Sequence, residues 1–516
     1  MEAVGERGNS ATGRLVHPEQ GISKDEICDI VITINDHLES VYTHKSILVN
    51  SCIISRVPSH FRANHKEDLD PRFVSIGPLH HHKPHLIAME DHKLRFLLRL
   101  LTDSSWKAPG VHDDETDKTK SSVNGERAAA VGLKRYCENF LSSETGGGDS
   151  EHNGNSMITE LVYEMKVMEV EARRCYSEKF NDISASEFVT MMILDGCFIV
   201  QLLHLYERSQ TEDVEDPLFN IRWMVPNLHR DLLLLENQLP FAVLDKIFEI
   251  TSASADDSYS LQKLALKFFN CVVPQGTKSS DKKCLFGVHP DNLLHLVRLS
   301  FVSSFTGKAK PCFQLRKEQK KLHTFREIIP PYGHNIEELI EAGGKFMCRD
   351  NHGLLDIAIK DGVLEIPPLR VDDFVGQVLL NLIAYEQCDR FLEPYFTHYV
   401  LFFCGLVRTA KDVGIMHDAG LLRHELRSDE DVVDLFKKLS KGIVVSYECD
   451  SYLSETLIQF YKTLHFTNWN KWKKKWREDY FSNPWAFSSF LAAGTLLLLT
   501  MIQTFFSIFS YVLPPS

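Results

Sequence analysis

The longest stretch without charge closes the chain. From Trp485 to Val512 the sequence reads WAFSSFLAAGTLLLLTMIQTFFSIFSYV. Roughly 20 apolar residues as helix cross a bilayer core, so this run predicts a membrane-spanning helix over residues 484–512. A second apolar run, FVTMMILDGCFIVQLLHLY from Phe188 to Tyr206, carries Asp195 at its centre. A charge at the bilayer centre is costly, which favours a fully buried core helix there. Asp195 then requires hydrogen-bonding partners, such as a helix N-terminus or an arginine.

Elsewhere the apolar positions recur with helical period. Met89 to Leu101 reads as an amphipathic helix. Met157 to Phe180 places Ile158, Leu161, Val162, Met165, Met168, Ala172 and Cys175 on one face. Trp223 to Ile250 is helical on either side of the polar triplet Glu236-Asn237-Gln238, with a new helix starting near Leu239 and Pro240 in its first turn. Further helices are predicted over Asp291–Phe301, Asn335–Ala342 (closed by Gly343-Gly344), Asp372–Cys388, Tyr395–Val413, Asp429–Leu439 and Tyr452–Phe466. Short strands are predicted within Lys345–Ile366, with Asp361-Gly362 as a hairpin turn. Cys28–Val49 fits strand or helix. Pro and Gly make Ile54–Pro58 and Asp70–Pro78 fixed extended loops. The predicted fold is mainly α: a large helical domain with a few short strands, plus a C-terminal transmembrane helix.

The polar segments set the boundaries. Met1 to Ser23 reads as disordered, residues 24–480 as the helical domain, and residues 102–156 as a polar insertion rich in Gly, Ser and charge, with a short helix near Arg127–Leu141. Thr306–Lys321 is basic and reads as exposed.

Charge changes the picture at one place. The net charge of −13 argues against nucleic acid as a partner of the bulk of the chain. A basic, Trp-rich collar precedes the terminal apolar run: Trp469, Trp472, Lys473, Lys474, Lys475 and Trp476, with Trp485 just beyond. Indoles at an interface and cations against anionic headgroups make membrane lipid the expected partner of this end. The positive-inside rule then places the main domain in the cytosol, on a single-pass anchor, with the plasma membrane the expected location. The N-terminus has no apolar core, so no cleavable signal peptide is expected. The 12 cysteines form no CxxC pair, and reduced buried thiols are the expectation.

The chemistry-bearing residues are few. Asp195, Glu236 and Glu386 are carboxylates inside apolar segments. Paired carboxylates support acid–base chemistry when their surroundings separate their pKa values, provided they converge in one open pocket. The alternative is that these three, with Asn237 and Gln238, tie helix ends together. His80, His81, His82, His85 and His92 cluster beside Glu90 and Asp91, but adjacent histidines point apart and no zinc-protease spacing occurs, so no metal is expected. Gly343-Gly344-Lys345 lacks the remainder of a phosphate loop. No nucleophile elbow or kinase set is present. No cofactor is expected, and a non-enzymatic protein with an unidentified protein partner is the leading reading, with a carboxylate-pocket enzyme of hydrolase type as the alternative. Oligomeric state is not legible.

Several segments together resemble one family. They are Arg56-Val57-Pro58; Val74-Ser75-Ile76-Gly77-Pro78 with His80-His81; Met89-Glu90 with Lys93; Leu194-Asp195-Gly196-Cys197-Phe198; Asp231 with Leu235-Glu236-Asn237-Gln238-Leu239-Pro240-Phe241; Ile366-Pro367-Pro368-Leu369; Asn381-Leu382-Ile383-Ala384-Tyr385-Glu386-Gln387; and Asn483-Pro484-Trp485. In their order they resemble the plant domain of unknown function 247 family across nearly the whole chain. Leu79, Gly344 and the long insertion depart from the family pattern. The resemblance implies membrane association through the C-terminal helix. It also implies a recognition or signalling role, since some grass members are linked to pollen self-incompatibility. The family's biochemistry is not established.

Overall fold

The computed structural model describes residues 53–102, 153–211, 214, 216–252, 260–271, 289–303, 333–389, 392–445, 451–464 and 484–512. Most of these make helix. The expectations for Met1–Ser23, Cys28–Val49, the body of the 102–156 insertion, Thr306–Lys321 and the collar from Trp469 to Trp476 lie outside the described residues.

In chain order the helices are α1 (Ser59–Leu69), α2 (Ala88–Thr102), α3 (Asn153–Arg174), α4 (Ala185–Ser209), α5 (Pro217–Asn220), α6 (Met224–Asp231), α7 (Phe241–Thr251), α8 (Leu261–Phe268), α9 (Leu293–Ser303), α10 (Ile336–Glu341), α11 (Asp373–Cys388), α12 (Tyr395–Leu406), α13 (Ala410–Asp418), α14 (Asp429–Leu439), α15 (Ser454–Thr463) and α16 (Pro484–Val512). The strands are β1 (Lys345–Cys348), β2 (Ala358–Lys360), β3 (Val363–Ile366), β4 (Leu369–Val371) and β5 (Leu422–His424).

The apolar run around Asp195 is α4, and it is the hub of the first half. Ser184 caps it, accepting from the Glu187 N–H at 3.2 Å. Its middle is buried on every face because α2, α3, α7 and α8 all pack on it. Gly196 permits the approach of α7: a Cβ there would fall 2.2 Å from the Ile247 Cδ1. The hub of the second half is α11, against which α1, α6, α9, α12 and α14 pack. Buried side chains from both halves form one hydrophobic cluster.

Two predicted helices end differently. The Met157–Phe180 prediction runs too far: α3 stops at Arg174, and Tyr176 pairs in parallel with Ile54. Leu161, Met165 and Ala172 face the core as expected, but Val162 is 47% exposed. The Tyr395–Val413 helix breaks in two. Val407 is extended, and Thr409 caps α13 in a capping box with Asp412. The buried Asp412 carboxylate accepts from the N–H groups of Arg408 and Thr409, which holds the break. Pro240 is the N-cap of α7 rather than part of its first turn.

The short strands follow the expectation. β3 lies between β1, parallel to it, and β2, antiparallel. The β2–β3 hairpin turns on Asp361 (φ 51°) and Gly362 (φ 77°), two consecutive left-handed residues as a type I′ turn requires. β4 and β5 form a separate parallel pair.

Among the described residues two helices are long and apolar enough to cross a membrane, α4 and the Leu491–Ile508 portion of α16. They differ in surroundings. The α4 run is buried in the core, whereas every described side chain of the α16 run is exposed.

Candidate functional site

The fixed extended loop from Pro71 to Pro78 threads between α2, α4 and the turn that follows α6. It has no strand partner, so its N–H groups need other acceptors. Buried side chains supply them. The Asp231 carboxylate accepts from Arg72, from Phe73 at 2.6 Å and from Val74 at 3.0 Å. Asn237 Oδ1 accepts from Ile76 at 2.7 Å, while its Nδ2 donates to the carbonyls of Val74 and Asp231. Asp195 Oδ2 accepts from Gly77 at 2.8 Å. Gly77 has φ 71° and any Cβ there would meet the Gln238 carbonyl at 2.7 Å, so glycine is required. Gln238 Nε2 donates to Leu232 and Leu234, and its Oε1 accepts from Leu294. Asp231, Asn237 and Asp195 thus hold one loop, while Gln238 ties the turn after α6 to the start of α9.

Each predicted carboxylate has its own cation. Lys93, fully buried, donates from Nζ to Asp195 Oδ1 at 2.6 Å, to Glu90 at 2.7 Å and to the Ser75 carbonyl at 2.6 Å. Burial works against the Lys93 ammonium, but Asp195 and Glu90 outweigh it and hold its pKa raised. Glu236 takes the Val57 N–H at 2.6 Å, Arg56 at 3.0 Å and Arg62. Glu386 pairs with Arg298 and accepts from the N–H groups of Phe396 at 3.1 Å and Thr397 at 2.9 Å, at the start of α12. Asn381 reaches back to the N–H of Leu235 at 3.0 Å. All three carboxylates are buried and individually compensated, which is the helix-tying arrangement. No shared open pocket assembles from them among the described residues.

Arg56, Arg62, Lys93 and Arg298 were not singled out as partners from sequence. For Lys93 a signal existed. It falls on the stripe Met89, Lys93, Phe96, Leu100, all buried, and a lysine on an apolar helical stripe demands a buried anion.

The histidine cluster disperses. His80 is buried, with Nε2 3.6 Å from Glu236. His85 bonds the Pro71 carbonyl and His92 lies against Arg95. His81 and His82 stay together and meet Glu187. Of the expected membrane-interface residues, Trp485 lies in the first turn of α16.

A cleft of about 650 Å³ opens between α1, α6, α11 and α14. Its walls carry both signs of charge: Arg72, Arg230 and Lys438 against Asp68, Asp372 and Asp373. Two buried nitrogens on its lining, His65 Nδ1 and Arg230 Nε, have no hydrogen-bond partner among the described residues. His65 Nε2 lies 3.0 Å from the Lys441 carbonyl, which assigns the proton to Nε2 and leaves Nδ1 as an acceptor. Burial lowers the His65 pKa and keeps the ring neutral. The cleft therefore offers a buried acceptor and a buried donor behind a charged rim. None of Asp195, Glu236 or Glu386 lines it.

Residues 54–128 and 133–499 match a family described as plant protein of unknown function. The chain is 29% identical over 493 residues to the UPF0481 protein At3g47200 of Arabidopsis thaliana, covering 92% of this chain and 90% of that protein. It is 21% identical over 561 residues to the UPF0481 protein At3g02645 of the same plant, covering 93% and 94%. No solved structure matches it.

Proposed function

The chain belongs to the plant domain of unknown function 247 family, and from that premise we propose that it is a membrane-anchored recognition or signalling protein. The observation that carries this reading is the exposure of α16. A helix of 29 residues without a charged side chain leaves Leu496 to Leu499, Phe505 and Phe506 uncovered. In water such a surface is a liability, whereas in lipid it is satisfied. The basic collar before it supports a cytosolic main domain. The cleft between α1, α6, α11 and α14 is where that domain reads a polar partner, because its unpartnered donor and acceptor favour one that supplies both. The resemblance to grass proteins linked to pollen self-incompatibility extends the reading to pollen recognition.

Membrane fractionation tests the anchor. Full-length protein is expected to stay in the pellet after alkaline carbonate, and a chain ending at residue 480 to be released. Release of the full-length chain would overturn the anchor. Proximity labelling in plant tissue tests the cleft. Charge reversal at its exposed rim, Asp373→Lys with Lys438→Glu, is expected to remove labelled partners that survive deletion of residues 102–156. The opposite pattern would move recognition to the insertion.

A further inference from the structure

His81 and His82 are consecutive, and consecutive side chains ordinarily diverge. Here they converge. His81 has φ −57° and ψ 144°, His82 has φ 65°, and the Lys83 N–H faces the His80 carbonyl at 3.4 Å. This is the form of a type II turn, whose third position suits glycine or asparagine. Holding a histidine there strains the backbone. The conformation brings the two rings to 3.9 Å between centroids. From α4, Glu187 reaches the same point, with Oε1 2.9 Å from His82 Nε2. One donor atom from each of the three residues lies within 4.8 Å of the others.

We propose that His81, His82 and Glu187 bind a divalent transition cation of borderline softness, Zn²⁺ above all. Two imidazoles and a carboxylate are a zinc donor set, and three protein ligands leave one position for water or for a group from outside. His82 is 70% exposed, so that position faces solvent. Bonds of about 2.0–2.2 Å place tetrahedral donors about 3.3–3.5 Å apart. His82 and Glu187 need to open slightly, and the widest pair to close by about 1 Å, which rotation of the exposed His82 and the half-buried His81 and Glu187 supplies. The ion takes the hydrogen-bonding place between His82 Nε2 and Glu187, with the neutral imidazole bound as its Nδ1–H tautomer. The turn that costs the fold energy is what makes the two rings ligands of one ion. This inference is independent of the membrane reading.

The full-length chain in lipid nanodiscs, stripped with chelator, is titrated with Co²⁺ and then with Zn²⁺ in competition. One saturable equivalent is expected, with the visible absorption of a low-coordinate Co²⁺ that Zn²⁺ abolishes. His82→Asn removes the ligand while tolerating the left-handed backbone. Glu187→Gln removes the charge and leaves its backbone N–H on Ser184. Both are expected to weaken binding by at least about 10-fold, with unchanged melting in chelator, while His92→Asn binds as wild type. Unchanged binding in His82→Asn and Glu187→Gln overturns the site, as does the absence of saturable Co²⁺ binding to the wild type.

Discussion

Lys93 and Asp195 are two charges in the centre of a helical core, paired at 2.6 Å, though burial still holds the Asp195 carboxyl above its ordinary pKa. Lys93→Met would leave Asp195 without its cation, and removing one partner of a buried pair costs about 3–5 kcal/mol. Urea unfolding at pH 7 is expected to show that loss. The double variant Lys93→Met with Asp195→Leu is expected to recover part of it, since the orphan charge goes, but not all, because Gly77 and Ser75 lose their partners. Histidines give a second residue-scale expectation. Burial pushes His80 down to about 3 and His204 and His229 down to about 4. These rings are neutral when folded, whereas in the unfolded chain they protonate near pH 6.5. The unfolded state therefore binds more protons between about pH 4 and 6.5, and stability present above that window is lost as pH falls through it. His204 stacks on Phe248 at 5.4 Å, so His204→Phe keeps the packing. It is expected to reduce the slope of stability against pH by about 1.4 kcal/mol per unit. The sequence exposed Asp195 as a charge needing a partner, but an arginine or helix N-terminus was expected where Lys93 stands. The requirement was local and legible. Its satisfaction depends on how α2 crosses α4, which periodicity does not contain.

At the scale of elements, contact between α4 and α7 rests on the missing side chain of Gly196. In Gly196→Ala the new methyl strikes Ile247 Cδ1. That atom ends a flexible side chain in a filled core, so a loss of about 1–3 kcal/mol is expected. Ile247→Val deletes the same atom. On the alanine background it is expected to restore stability, while alone it costs about 0.5–1.5 kcal/mol. A double-mutant cycle by denaturant unfolding reads the coupling, and simple additivity would show that the two helices separate instead. Elements governed by local chemistry were legible: the Asp361-Gly362 hairpin, the Gly343 helix end at φ 93°, and most helix bodies. The break in Tyr395–Val413 was missed because its apolar pattern runs through. The signal was the Thr409-Ala410-Lys411-Asp412 capping box, a helix start that outweighs the continuity of the pattern. Likewise α3 ends where the chain turns to pair with Ile54, a contact that sequence spacing does not announce.

For the whole molecule, α4 and α16 pose one question, because length and composition alone make both membrane candidates. What separates them is a single charge within the apolar run and, in the structure, 89% burial of α4 against none for the α16 run. Asp195 marked α4 as a helix that has to find a cation, and the core provides it. Nothing in α16 makes such a demand, and its leucines stay uncovered. The same substitution should therefore fail in two different ways. Leu498 is 62% exposed. On the proposed reading, Leu498→Arg puts a guanidinium near the bilayer centre at a cost of about 2.5–3.5 kcal/mol on the insertion scale. The protein is expected to shift from the membrane to the soluble fraction while the helical domain keeps its cooperative melt. Leu203 is fully buried in α4. Leu203→Arg is expected to abolish that melt through an uncompensated buried charge, with the chain still held in the membrane fraction by α16. If Leu498→Arg leaves fractionation unchanged, α16 is not the anchor, and its exposed face has to be covered by protein rather than lipid.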